Sequence, residues 1–227
     1  MKHFIALKKS ESYKIYFGLI LTLVLVRLLF LFLPATVNLP PQSGQVNWLF
    51  IIVFGLLGFL GLKLSRSVGF PEMQESEISN QQRFLIPALI GLAIGLITVI
   101  EDVVNPSAKI VSPLFVRFPL FIYGAIAVEI FLRLFLLSFI VWVLSFIFKG
   151  QRSISTAFWI AAVFVSLFES LLFFADAGVV GVGGIIVVFR LFAANLIAAY
   201  LFRKSGFIAP LVMRFFDYFI WHIIWQG

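Results

Sequence analysis

The chain has no cysteine and only two histidines among 227 residues. The first absence excludes disulfides, thiolate nucleophiles and cysteine-ligated zinc, and leaves the redox compartment open. The second argues against a centre built on several imidazoles, so neither a metal nor a cofactor is expected. Charge is sparse too: 12% of residues are charged, whereas 62% are hydrophobic and 29 are phenylalanine. Such a chain is too apolar for a soluble domain of this length, and its apolar surface must face lipid. A formal net charge of +7 does not imply nucleic acid, because the basic residues fall in short segments between apolar runs rather than in one patch. Membrane lipids are the expected surroundings and partners.

A helix needs about 20 apolar residues to cross a hydrocarbon core of about 30 Å. Seven runs meet or approach this length, at about 16–33, 48–62, 84–100, 119–148, 157–174, 184–202 and 207–225. None alternates with period two, and open strand edges cannot face lipid. The expected fold is therefore all-α: one polytopic transmembrane helix bundle of about seven spans, residues 1–227, with no second domain or internal repeat. The first run contains Arg27, is too long for a secretory signal, and ends in Leu33-Pro34-Ala35-Thr36 without a small-residue cleavage site, so it reads as a retained span.

Loops rich in Lys and Arg stay in the cytoplasm. Lys2, Lys8, Lys9 and Lys14 precede the first span, Lys63, Arg66 and Arg83 lie between the second and third, Lys149 and Arg152 follow the fourth, and Arg203 and Lys204 follow the sixth. The opposite side carries no basic residue over 37–47 and only Asp176 after the fifth span, whereas the third loop, which holds Glu101 and Asp102, also carries Lys109 and Arg117, and these break the alternation. The pattern predicts a multi-pass protein of the cell membrane with a cytoplasmic N-terminus. The fourth run would extend about 45 Å as one helix; Gly124 is the expected break, with Pro119 marking a helix start. The acidic segment 71–82 reads as a solvated connector. Gly91 with Gly95, and Gly55, Gly58 and Gly61, are spaced to bring helices close. Gly178, Gly181, Gly183 and Gly184 lack the preceding strand and following lysine of a phosphate loop.

Ionisable residues inside spans carry an insertion penalty of roughly 2.5 to 3.5 kcal/mol each, so they face the bundle interior and pair or do chemistry. They are Arg27, Glu129 and Arg133, Glu169, Arg190, and Arg214, Asp217 and His222. Glu129 and Asp217 fall near mid-membrane, and Glu169, Arg190 and His222 in the outer half. Glu129 and Arg133 are one helical turn apart and share a face. Arg214, Asp217, Tyr218, Trp221, His222 and Trp225 form one broad stripe expected to face inward. A salt-bridge network that sets helix order explains this set as well as a reaction centre does.

The stretch Val128-Glu129-Ile130-Phe131-Leu132-Arg133 resembles the EExxxR motif of the CPBP family, the CAAX-processing and bacteriocin-processing (Abi) membrane endopeptidases. The run from Asn195 through Ser205-Gly206-Phe207 to Ala209-Pro210 resembles that family's late helix, tight turn and entry to its last core helix. The family-like core is 119–225. The resemblance implies hydrolysis of a membrane-protein or peptide substrate by water activated between glutamate and histidine. Several positions depart from the pattern: Val128 stands for the first glutamate, span five has no histidine, Arg214 occupies the last motif's histidine position, and Tyr218 its asparagine or aspartate position, with Asp217 one residue off. An altered site would use Glu129, Glu169 and His222 as catalytic groups, supported by Arg133, Arg190, Arg214 and Asp217. The alternatives are a non-catalytic scaffold or a peptide- or lipid-binding relative, and a transporter, to which Pro87 and Pro210 within spans point.

Overall fold

The computed structural model describes residues 2–34, 37, 39–73, 75–104, 112–148, 153–177 and 182–225. Among these every regular element is helical. Seven helices are long and apolar enough to cross a membrane: α1 (Lys2–Leu31), α2 (Trp48–Ser67), α3 (Gln81–Val104), α4 (Leu114–Ile147), α5 (Ser153–Ala177), α6 (Val182–Ser205) and α7 (Ile208–Trp225). Each matches one expected run to within a few residues at its apolar core, and the chain is a multi-pass integral membrane protein. Large apolar side chains such as Phe17, Leu21, Leu49, Leu56 and Phe189 are exposed on the outside, while Glu129 and Arg133 have no exposed surface at all. Polarity is thus inverted relative to a soluble domain, as the bilayer requires.

The longest helix, α4, is the hub. α1 and α2 pack on one side of it, α5 and α6 on another and α7 on a third, while α3 lies mainly against α7. Lipid supplies no hydrophobic driving force between helices, so close packing of small residues does that work. A side-chain carbon on Gly61 would run into the backbone of Leu134, and one on Gly58 into Ile130 and Tyr16. On the other flank, Gly91 and Gly95 admit the backbone of α7 at Met213 and the Ile220 side chain. Gly55 is the exception in its series, with only Ile20 at 4.0 Å.

The structure corrects four local expectations. α4 does not break at Gly124. It continues, and its turns widen to π-helical over Ile130–Leu137, immediately after Glu129. The helix also begins before Pro119, at Leu114 behind the extended Pro113. Arg117 is therefore helical, as are Glu101 and Asp102 at the end of α3; charge had placed them in a loop. Lastly, the start of the connector is packed rather than solvated. Phe70 and Met73 are buried, and Glu72 accepts hydrogen bonds from Ser12 Oγ at 2.6 Å and from Arg66 Nε and Nη2 at 2.6 and 2.9 Å. The Glu72 carbonyl borders Gly206, whose φ of +75° makes the turn from α6 into α7. Pro87 follows the π turn Gln81–Leu85, and Pro210 lies in the first turn of α7. Lys109, Lys149, Arg152, Gly178 and Gly181 lie outside the described residues.

Candidate functional site

Four charged side chains from three helices meet in the middle of the bundle. Arg214 of α7 reaches between the two carboxylates: its Nε donates to Glu129 Oε1, and its Nη1 lies 3.1 Å from Glu169 Oε1. Arg133 of α4 closes the ring, with Nη1 2.9 Å from Glu169 Oε2 and Nε 3.7 Å from Glu129 Oε2. Two guanidiniums thus face two carboxylates with no net charge. Asn195 of α6, itself buried, ties the arginines together: its Oδ1 accepts from Arg133 Nη2 at 2.6 Å and from Arg214 Nη2 at 3.0 Å. Arg133 Nη2 also donates to the Asn195 carbonyl at 3.2 Å.

Local structure explains why these groups converge. Glu129 ends the regular part of α4 and Arg133 follows one turn later in the π segment, so both project from one face. Ser138 Oγ donates to the Arg133 carbonyl at 3.4 Å, satisfying an acceptor within the widened turns. The left-handed Gly206 reverses the chain tightly, so α6 and α7 run side by side and bring Asn195 and Arg214 to one level. Asn195 escaped the sequence reading because only ionisable residues were weighed. Its signal was there: a primary amide in the middle of an apolar span must find partners.

The other candidates are distributed elsewhere. Arg190 pairs with Glu101, Nε to Oε2 at 2.6 Å, joining α6 to α3. Asp217 sits on the α3 side of α7, with its carbonyl beside Gly95, and is within electrostatic reach of Arg214 and Arg190. His222 stacks on Phe121, ring centroids 3.6 Å apart and planes 11° from parallel, while its carbonyl accepts from Arg117 at 3.1 Å. It stands two turns of α7 beyond Arg214 and outside the four-charge ring. Trp225 Nε1 donates to Asp102 Oδ2 at 2.8 Å. The expected stripe of α7 is therefore shared: Arg214, Tyr218 and His222 face α4, and Asp217 and Trp225 face α3. α7 itself turns π-helical over Phe219–Trp225.

A cavity of about 470 Å³ adjoins the ring. It lies between α2 and α5 where both rest on α4, at the end of the bundle where α2 begins. Gln45 caps it, with its carbonyl accepting from the Tyr123 hydroxyl at 3.1 Å. Glu169 and Tyr218 are on its floor, and Phe50, Phe54 and Phe168 are among its walls. The Glu169 side chain retains 17% of its surface, the only ring member with more than a tenth.

This geometry constrains the chemistry. A general base needs a lone pair within reach of water. Both Glu129 oxygens are buried, one on Arg214 and the other facing Arg133 at 3.7 Å without a hydrogen bond, while Glu169 is ion-paired with both arginines and keeps only one edge toward the cavity. Among the described residues no group of three or more His, Asp or Glu is arranged to hold a metal ion. No family model, curated protein or solved structure matches the chain.

Proposed function

We propose that this chain is a non-catalytic, membrane-embedded binding protein: a relative in form of the CPBP endopeptidases whose reaction centre has become a structural latch. It sits in the cell membrane with its N-terminus in the cytoplasm and uses the cavity beside Glu169 to hold an amphipathic ligand or peptide segment arriving from the bilayer. The observation that carries the reading is the position of Arg214. Where the family resemblance calls for histidine, a guanidinium lies between Glu129 and Glu169 and pairs with both, and Glu129, the carboxylate the resemblance retains, is sealed from water. The retained Glu129 and Arg133 support descent from a hydrolytic site, and the departures at Val128, Arg214 and Tyr218 support loss of its chemistry.

The test is to reconstitute purified protein in lipid with a library of membrane-spanning and C-terminal peptides and to measure binding and cleavage separately. Saturable binding without cleavage is expected. Cleavage that disappears in a folded, peptide-binding Glu129→Gln variant would overturn the reading in favour of an altered glutamate protease.

A further inference from the structure

The cavity is the polar feature left once the ring is a latch. We propose that it receives the headgroup of a zwitterionic membrane lipid carrying a primary ammonium group; this rests on the binding reading above and names the ligand class. α2 and α5 both pack on α4 but make no substantial contact with each other, so the cavity opens sideways into the bilayer. Phe50, Phe168 and Leu172 at its edge are exposed on the lipid-facing surface, where acyl chains would lie. A volume of about 470 Å³ suits a headgroup rather than a whole lipid, within the usual range for small-ligand sites of roughly 300–1,000 Å³.

The lining selects the headgroup's chemistry. Six of its thirteen residues are aromatic, namely Phe50, Phe54, Tyr123, Phe131, Phe168 and Tyr218, and its one charged residue is Glu169. No basic side chain lines the wall. Aromatic faces attract a cation, more strongly when it is desolvated, and a carboxylate edge accepts its N–H groups. Glu169 keeps both arginine partners, because the ammonium approaches only its exposed edge. A second charge lies just behind the wall. The Arg27 guanidinium is within electrostatic reach of the Tyr123 hydroxyl, and its Nε is buried with no hydrogen-bond partner among the described residues. A phosphate, one ethylene linker from the ammonium in such a lipid, would be attracted by the Arg27 charge across the Tyr123 wall. An anionic lipid without an ammonium would be drawn to Arg27 but set its charge beside Glu169, and a simple amine would leave Arg27 as it is.

The experiment uses the full chain in detergent, titrated with short-chain phosphatidylethanolamine, short-chain phosphatidylglycerol or decylamine, with binding read by native mass spectrometry and by thermal unfolding. Phosphatidylethanolamine is expected to bind saturably and about tenfold more tightly than phosphatidylglycerol, tenfold being about 1.4 kcal/mol. The double variant Phe50→Leu/Phe168→Leu, at two lipid-facing positions outside the ring, should weaken phosphatidylethanolamine and decylamine alike by about tenfold. Arg27→Gln should weaken phosphatidylethanolamine alone. In the unaltered protein decylamine should displace the lipid and decyl sulfate should not, which tests the charge preference without any variant. Equal or tighter phosphatidylglycerol binding, or unchanged lipid affinity in the folded double variant, overturns this inference while leaving a binding protein. Absence of saturable binding by all three amphiphiles and by the peptide library overturns the binding reading itself.

Discussion

Removing Arg214 should expose how tightly the ring is coupled. In Arg214→Met, Glu129 keeps only Arg133, at 3.7 Å, and Glu169 loses one of its two guanidinium partners. Two carboxylates then face one arginine inside the bundle. Stripping one partner from a buried pair typically destabilises by about 3–5 kcal/mol, because a charge is left uncompensated. The low end, about 3 kcal/mol, applies here since Glu169 retains some exposure. For soluble chains of this size 1 kcal/mol shifts Tm by about 2–4 °C, so a loss of about 6–12 °C is expected. Adding Glu129→Gln restores the charge balance to one arginine and one carboxylate. Uncharged replacements for buried ion pairs are often neutral or stabilising, so the double variant should regain most of the loss, with a coupling of about 2 kcal/mol. Thermal unfolding in detergent with lipid, followed by size-exclusion chromatography, measures all three proteins. An unchanged Tm for Arg214→Met, or a double variant no better than the sum of the singles, would refute a coupled ring.

Two further outcomes are expected. Gly61→Ala should lower stability by about 1–3 kcal/mol, the usual effect of overpacking, because its new carbon meets the Leu134 backbone; Gly124→Ala, with nothing nearer than Tyr218 at 3.8 Å, should be neutral or gain up to about 1 kcal/mol of helix propensity. Equal destabilisation of the two in the same unfolding assay would contradict the packing described for α2 on α4. Cysteines placed at exposed Gly44 and Ser79, in a chain with none of its own, should label from the outside and the inside of the cell respectively. Labelling from the same side would reject the topology of α2 and α3, and the reverse pattern would reject a cytoplasmic N-terminus.

A neutral ring of four charges contributes little net stability compared with a well-packed apolar core, and its effect is on helix arrangement instead. Any rotation of α7 that withdrew Arg214 would leave Glu129 buried beside a single distant partner. Alternative packings of seven similar apolar helices are thereby penalised, which the glycine contacts alone would not achieve. Asn195 adds to this selection, since both of its arginine partners require α6 at one depth.

The spans were legible in the sequence because lipid imposes the same demand on every one of them, and the apolar runs answer it individually. The glycine seams at Gly58–Gly61 and Gly91–Gly95 were legible for a similar reason: a small residue repeated on one face of a helix is a local pattern. So was the Glu129–Arg133 pair, since one helical turn fixes their proximity. Tertiary structure decided which carboxylate meets which arginine. Glu129, Glu169, Arg190 and Arg214 were all visible as costly intramembrane charges, but pairing depends on the rotational phase and depth of separate helices. Those are set by the Gly206 turn, by α2 pressing on the π segment of α4, and by α3 packing along α7. Helix ends were misread at Glu101, Asp102 and Arg117 because their charges look like loop residues until Arg190, Trp225 and the His222 carbonyl, all distant in the chain, arrive to satisfy them. The cavity was invisible in the sequence altogether, for it exists only because α2 and α5 rest on the same helix without packing closely on each other.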